Sequence, residues 1–308
     1  MFDLIIIGGG PAGVAAGVYA SRKKLHSLLI TNEWGGQSIV SPDIQNWIGT
    51  PSITGEQLAI DFKTHLTTYA NETIEIKEKV CVTDIQKKDD GTFSVTMEDG
   101  TTAEARSVLI TSGSKRRRLE IPGADEFENK GVTYCASCDG PMFSGQDVAV
   151  IGGGNAGFET AAQLLAYAKS VTLLHRSGAF KADPVTVEKV LSHENMKSIL
   201  NAQISKVQGE TFVSGLAYKN EQADEEQFLA VTGIFVEIGM IPNTEFAADV
   251  VSLDEYNRIE IDPWTQKTTA EGIWAAGDCT NVRYHQNNIS AGDAVRALED
   301  IYIALKTR

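Results

Sequence analysis

The sequence predicts an α/β protein made of two parallel-sheet domains, the second inserted into the first, and three observations carry that expectation. The first is a repeat. Asp3-Leu4-Ile5-Ile6-Ile7-Gly8-Gly9-Gly10-Pro11-Ala12-Gly13 returns as Asp147-Val148-Ala149-Val150-Ile151-Gly152-Gly153-Gly154-Asn155-Ala156-Gly157. The second is the pattern after each copy: an Ala-rich stretch of about four helical turns and then a strand-like run, Ser27–Thr31 and Ser170–Leu174. The third is length, since 308 residues suit two cores better than one. A short β-branched run feeding G-x-G-x-x-G and opening a helix is the β-α-β unit that holds a dinucleotide. The expected fold is therefore α/β, with two Rossmann-like (three-layer ββα) dinucleotide-binding domains.

Each glycine has a separate task. Gly8 and Gly152 permit the tight turn, Gly10 and Gly154 let a pyrophosphate approach the backbone, and Gly13 and Gly157 let helix pack on strand. Pro11-Ala12 and Asn155-Ala156 open the two helices, whose free N–H groups and positive ends suit phosphate. After Ser27–Thr31 comes Asn32-Glu33, an acid placed to hold a ribose hydroxyl pair. After Ser170–Leu174 comes His175-Arg176 with no acid, and Arg176 would attract a 2′-phosphate that a carboxylate would repel.

Between and beyond the repeats, residues 73–110 alternate in strand fashion with turns at Asp89-Asp90-Gly91 and Asp99-Gly100, as in a β-meander. Val108–Ile110 ends at Thr111-Ser112-Gly113. The basic run Lys115–Arg118, read as solvated, and Ile121-Pro122-Gly123 then mark a domain crossing. A second crossing is expected at Gly239-Met240-Ile241-Pro242-Asn243. One domain should thus comprise 1–114 and 244–308, and the other 115–243. Asn220–Gln227 reads as an exposed hairpin loop, and Gly272–Ala276 as a strand ending at Gly277-Asp278. Trp34, Trp47, Trp264 and Trp274 are expected to serve packing.

The 42% hydrophobic and 22% charged residues fit an ordinary soluble globular protein, and a net charge of −14 argues against nucleic acid or anionic membranes as partners. Leu4–Ile7 is too short for a signal or a membrane span, so a cytoplasmic location is expected. Of the cysteines at 81, 135, 138 and 279, only Cys135 and Cys138 are spaced for local chemistry. They lack the second Cys pair or His pair that a zinc site needs, so no metal is expected. Cys-x-x-C beside a β-α-β pattern instead reads as a redox dithiol, with positive dipoles lowering one thiol's pKa. Cys81, in Val80-Cys81-Val82, is expected in a strand and in the core. Asp139 is either a turn former with Gly140 or a proton carrier for the dithiol.

Gly8–Gly13, Gly35-Gly36-Gln37, Asn46-Trp47, Cys135-Ala136-Ser137-Cys138-Asp139-Gly140, Gly152–Gly157 and Ala275-Ala276-Gly277-Asp278 stand in the order found in low-molecular-weight thioredoxin reductases, which essentially the whole chain resembles. Gly131-Val132-Thr133-Tyr134-Cys135, Lys181-Ala182-Asp183 and Gly233–Gly239 look still more like the reductase portion of the alkyl hydroperoxide reductase flavoprotein. This chain would then need an external carrier in place of that protein's thioredoxin-like domains. The resemblance implies FAD on the domain of the chain ends. Its contacts there would be Gly8, Gly10, Pro11, Ala12, Gly13, Glu33, Gly36, Gln37, Asn46, Gly113, Gly277, Asp278 and Gln286. It implies a nicotinamide dinucleotide on the inserted domain, at Gly152, Gly154, Asn155, Ala156, Gly157, His175, Arg176 and Lys181.

In that family Cys138 faces the flavin, Cys135 attacks the partner's disulfide, and the counterpart of Asp139 manages the proton. The partner is thioredoxin or a small thioredoxin/glutaredoxin-like protein, and the enzyme is a homodimer. Dithiol and nicotinamide cannot share the flavin face, so the domains are expected to rotate between two states. His175-Arg176 matches the start of the NADPH-type pattern, although Ser177 replaces its next Arg and Lys181 also occurs in the NADH type. NADPH is therefore expected, with NADH the alternative. Asn287-Asn288-Ile289-Ser290-Ala291-Gly292 departs from the family's usual continuation after Gln286, which keeps a protein donor such as ferredoxin as a third reading.

Overall fold

The computed structural model describes residues 1–307 apart from 42, 71–72 and 221–224. They form two compact units, Met1–Lys115 with Ile241–Arg308, and Arg116–Met240.

In the first unit five parallel strands lie in the order Ile273–Ala275, Val108–Ile110, Leu4–Gly9, Ser27–Trp34, Ile74–Glu78. A strand buried on both faces cannot alternate apolar with polar, which is why Leu4–Ile7 and Leu28–Ile30 are unbroken apolar runs. Successive side chains still point to opposite layers. Leu4, Ile6 and Leu29 share a core with Val14 of helix Pro11–Arg22 and Leu298 of helix Asn287–Thr307. Ile5, Ile7, Leu28 and Ile30 pack instead with Ile85, Phe93 and Val95 of an antiparallel ribbon, Val82–Lys87, Phe93–Met97 and Thr102–Ala105. Helix, sheet and ribbon are the three expected layers.

The second unit repeats the plan. Its parallel order is Met196–Ile199, Ser170–Leu174, Asp147–Ile151, Gly233–Val236, Val132–Thr133. Phe158 and Leu164 of helix Asn155–Leu164 pack with Val148, Val150 and Phe235 on one face. Val207 and Leu216 of the ribbon Ala202–Gly209, Val213–Asn220, Gln227–Leu229 pack with Ala149, Ile151 and Ile234 on the other. The chain passes between units in Ser114–Arg116 and Met240–Pro242.

Several expectations need correction. Only the middle of 73–110 is a meander, because Ile74–Glu78 and Val108–Ile110 join the parallel sheet. Val108–Ile110 is buried throughout, the mark of a central parallel strand. The helices after the Gly-rich turns have 12 and 10 residues, fewer than four turns. Cys81 is exposed and precedes strand Val82–Lys87, since the inward position there belongs to Val80. Trp264 is 82% exposed in a turn held by Asp262 Oδ1, which accepts from the Trp264 N–H at 2.7 Å. Trp274 does pack, its Nε1 donating to Asp300 Oδ2 at 3.0 Å, and Trp34 and Trp47 lie against the same core. The run Lys115–Arg118 is exposed as expected, and Arg118 lies within 3.7 Å of Asp125 and 3.6 Å of Glu128. Half of the loop expected over 220–227, residues 221–224, lies outside the described residues; the strands flanking it pair, Tyr218 opposite Gln227. No described helix is long and apolar enough to cross a membrane. Among the described residues, no three His, Cys, Asp or Glu side chains gather as a metal site.

Candidate functional site

Each Gly-rich turn is locked by contacts that leave no room for a side chain. A Cβ on Gly8 (φ +124°) would stand 2.2 Å from the Thr111 carbonyl oxygen, and one on Gly13 would stand 1.8 Å from the Gly8 oxygen. The second turn is a close copy. A Gly152 Cβ (φ +130°) would meet the Glu237 oxygen at 2.1 Å, and a Gly157 Cβ the Gly152 oxygen at 2.0 Å. The middle glycines are different, because their outer faces are open. The nearest atom to a Cβ on Gly10 would be Gly36 Cα at 3.9 Å, and nothing lies within 4 Å at Gly154.

Around the first turn, Gly35 N donates to Gly9 O at 3.0 Å and brings the short helix Gly36–Val40 alongside. Pro11 and Ala12 begin the long helix, and Glu33 is exposed at the end of its strand. Gln37 Nε2 donates to Ser114 Oγ at 3.3 Å, and Gly113 (φ +65°) has an open face. From the C-terminal segment, Gly277 (φ +78°) sits 3.5 Å from the Ala12 Cβ, measured from where its own Cβ would be. Asp278 Oδ1 accepts from Ser290 Oγ at 3.2 Å and lies 3.4 Å from His285 Nδ1. Gln286 Oε1 accepts from Asn46 Nδ2 at 3.2 Å.

The unusual amides are also accounted for here. Asn288 Nδ2 donates to Asn46 O at 2.8 Å and its Oδ1 accepts from Ile48 N at 3.4 Å, while Asn287 Oδ1 accepts from Ser38 Oγ at 2.9 Å. They tie the start of the last helix to segment 38–48.

Around the second turn, His175 is buried, and its Nδ1 accepts from Gly153 N at 3.1 Å. Burial holds its pKa below the ordinary range, with Lys181 and Arg176 adding to that effect against the opposing pull of the Ala179 backbone carbonyl as acceptor. His175 therefore supports the turn from beneath, whereas Arg176 and Lys181 are exposed. The backbone N–H of Lys181 donates to Gly153 O at 2.8 Å, and Asn155 Oδ1 accepts from Asp183 N at 2.8 Å.

The dithiol lies in the same unit. Cys135 and Cys138 form a disulfide with Cα atoms 5.3 Å apart. Cys135 caps the single turn Ala136–Asp139, where Cys138 N and Asp139 N both donate to Cys135 O, at 3.3 and 3.1 Å. Asp139 Oδ2 accepts from the Thr133 hydroxyl, whose oxygen in turn accepts from Cys135 N at 3.3 Å. Thr133 thus couples acid and cysteine. In the sequence it stands only within the Gly131–Cys135 run that carries the resemblance, with no role attached to it. Cys279 is fully enclosed, and burial pushes its thiol up to about 11, which makes it inert beside this pair.

The pyridine nucleotide-disulphide oxidoreductase family model matches residues 2–296. The chain belongs to that family. It is 38% identical over 299 residues to an alkyl hydroperoxide reductase protein of Escherichia coli (strain K12). It is 36% identical over 296 residues to a Bacillus subtilis (strain 168) protein named NADH dehydrogenase. Each match covers 96% of this chain and 57% of the relative, so the chain spans little more than half the length of these curated relatives. Two thioredoxin reductase structures match along almost their whole length. That from Streptococcus pyogenes MGAS5005 has 32% identity, covers 100% of this chain and 99% of its own, and has a TM-score of 0.91. That from Giardia duodenalis has 29% identity, 99% of both chains and a TM-score of 0.92.

Membership of this family implies a flavin disulfide oxidoreductase chemistry with FAD and NAD(P)H as the groups to be held. The chain's own residues fit both groups. Helices Gly55–Thr67 and Pro184–Leu191 are capped by their own side chains, Thr54 and Asp183. The helices after Gly10 and Gly154 have no side-chain cap, so their first N–H groups remain available to phosphate, beside the two open glycine faces.

Proposed function

We propose that this chain is an FAD-dependent disulfide reductase that passes electrons from NADPH, through the Cys135–Cys138 disulfide, to thioredoxin or a small thioredoxin/glutaredoxin-like carrier, acting as a homodimer. One observation carries the reading: a formed disulfide with an acid tied to it stands in a unit that also has an uncapped helix after a Gly-rich turn. The first unit, with its second such helix, is read as the FAD domain. Gly8, Gly13, Pro11 and Ala12 shape that cradle, while Gly10, Gly36 and Gly113 leave backbone bare for the cofactor. Glu33 takes the ribose hydroxyls, Asp278 holds the ribityl and phosphate region, and Gln37, Asn46, Gly277 and Gln286 border the ring. In the second cradle Gly152, Gly157, Asn155 and Ala156 shape the turn, Gly154 admits the pyrophosphate, and Arg176 with Lys181 faces the 2′-phosphate. His175 serves by holding Gly153 in place.

When bound, NADPH would supply a hydride and FAD the electron relay to the disulfide. The rest falls to the protein. Opening the disulfide takes two electrons and two protons, one delivered by Asp139 and one by water; each is released again as its cysteine attacks, and two protons end on the carrier's thiols. The Cys135 thiolate then attacks a carrier disulfide, forming a mixed disulfide and expelling one carrier thiolate. The Cys138 thiolate attacks Cys135 Sγ, restoring the Cys135–Cys138 bond and releasing the carrier as a dithiol.

A second reading, an NADH-dependent reductase serving a peroxiredoxin system through a small carrier, is supported by the relatives named for alkyl hydroperoxide reduction and by Ser177 and Lys181. Anaerobic addition of NADPH, or of NADH, to the flavin-loaded protein separates the two. Rapid bleaching of the oxidised flavin band by NADPH alone is the expected result. Preference for NADH moves the assignment to the second reading, and no bleaching by either points to a protein electron donor.

A further inference from the structure

The two cradles share a backbone position that carries different chemistry in each unit. In the first, strand Val108–Ile110 is followed by Thr111, whose N–H donates to Ile7 O at 2.8 Å. In the second, strand Gly233–Val236 is followed by Glu237, whose N–H donates to Ile151 O at 2.8 Å. Each of these two residues has its carbonyl pressed against the first glycine of the turn. Thr111 spends its hydroxyl on its own sheet, donating to Ile7 O at 2.8 Å. Glu237 presents a half-buried carboxyl that accepts from the Thr160 hydroxyl of helix Asn155–Leu164 at 2.8 Å.

The location is informative. Strand Asp147–Ile151 has Ser170–Leu174 on one side and Gly233–Val236 on the other, and the chain leaves it in opposite directions. In open parallel sheets the ligand crevice lies at that reversal, just past the C-terminal strand ends. Glu237 is the first residue past the end of one of the two strands that form it. Burying a carboxyl carries a cost that the Thr160 hydroxyl offsets only in part.

We propose that Glu237 is a specificity residue of the second cradle that reads the charge of the nicotinamide ring, favouring the oxidised ring when it is ionised. The proposal rests on the reading of this cradle as the NAD(P)H site. The ring is cationic when oxidised and neutral when reduced, so a carboxylate facing it attracts one form and leaves the other almost unaffected. Burial pushes the Glu237 carboxyl up to about 7, opposed by the Thr160 hydrogen bond and Arg116 and reinforced by Glu159. On the neighbouring strand Val132–Thr133, Thr133 holds Asp139, and Glu159 is exposed on helix Asn155–Leu164. The preference is therefore present above the Glu237 pKa and is lost as pH falls through it.

The test uses the flavin-loaded full chain and two ligands that differ only by the ring, NADP+ and 2′-phospho-ADP-ribose, with NAD+ and ADP-ribose as the second pair. Calorimetric Kd values are taken at about pH 6 and about pH 8.5, on either side of the group's midpoint. In the wild type the affinity ratio of ringed to ringless ligand rises about fivefold between the two pH values. In Glu237→Gln, which keeps the shape and the Thr160 contact, the ratio stays flat. Thr160→Val removes a bond that favours ionisation and moves the wild-type midpoint to higher pH. The same pH response in wild type and Glu237→Gln overturns the assignment to Glu237 alone. Binding of neither pair to the wild type overturns the reading of the cradle, and this proposal with it.

Discussion

The two units solve one geometric problem with the same three glycines and then differ in what they set beside them. Both turns press their first glycine against a carbonyl from the next strand, and both leave the middle glycine bare at an uncapped helix. In the first unit Thr111 is bonded to Ile7, Asp278 accepts from Ser290 beside His285, and amides close on Ser38, Asn46 and Ile48. In the second the neighbours are His175 under the turn, Glu237 at the crevice and Asp139 beside the disulfide. The difference is one of burial: Glu237 is enclosed enough that its charge depends on pH near neutrality, whereas Glu33 is exposed.

The largest expected effect separates the cradles outright. Gly13→Val and Gly157→Val place side chains where the Cβ alone would be 1.8 and 2.0 Å from a carbonyl oxygen. Each should cost its own cradle about 3 kcal/mol or more. Gly13→Val is expected to purify colourless, and Gly157→Val to stay yellow but fail to bleach with NADPH. Absorbance spectra before and after nucleotide addition decide it, and loss of flavin from both variants would break the comparison. A smaller effect sharpens the account of the second unit. Asp139→Asn should bind flavin normally yet reduce a carrier disulfide about 100-fold more slowly. Stopped-flow spectra should show flavin reduction unchanged and dithiol formation delayed. The smallest effect concerns the first unit. Asn288→Ala removes bonds to Asn46 and Ile48 and should weaken FAD retention by about 1 kcal/mol, read as flavin fluorescence released on dilution. Nucleotide affinity at the second cradle should not change.

The parts of this molecule legible in the sequence are those written in local spacing. G-x-G-x-x-G turns, unbroken apolar strands and a Cys-x-x-C pair are each specified within a dozen residues, and the structure has them in place. The features that were not legible depend on partners distant in the chain. Ile74–Glu78 has the alternation of a meander strand, but pairing with Ser27–Trp34 places it in the parallel sheet. His175 stands beside Arg176 in sequence, yet the strand end turns one side chain inward and the other out. Asn287 and Asn288 suggest a change in flavin chemistry when their neighbours are known only by position. Their partners, Ser38, Asn46 and Ile48, lie at the other end of the chain. Cys81 and Trp264 break the packing expectation because an apolar residue type is a weak guide to burial when the residue falls in a turn or just outside a strand.

The insertion of one unit within the other also sets an order of manufacture. The first unit's sheet ends in strand Ile273–Ala275, and its helical layer needs Asn287–Thr307, both made after the whole of Arg116–Met240. Domains fold as units while the chain is being synthesised. The dithiol unit is therefore complete on the ribosome while its neighbour still lacks an edge strand and a covering helix. A chain released early, anywhere between residues 240 and 273, would carry a finished disulfide unit beside a sheet with one side open.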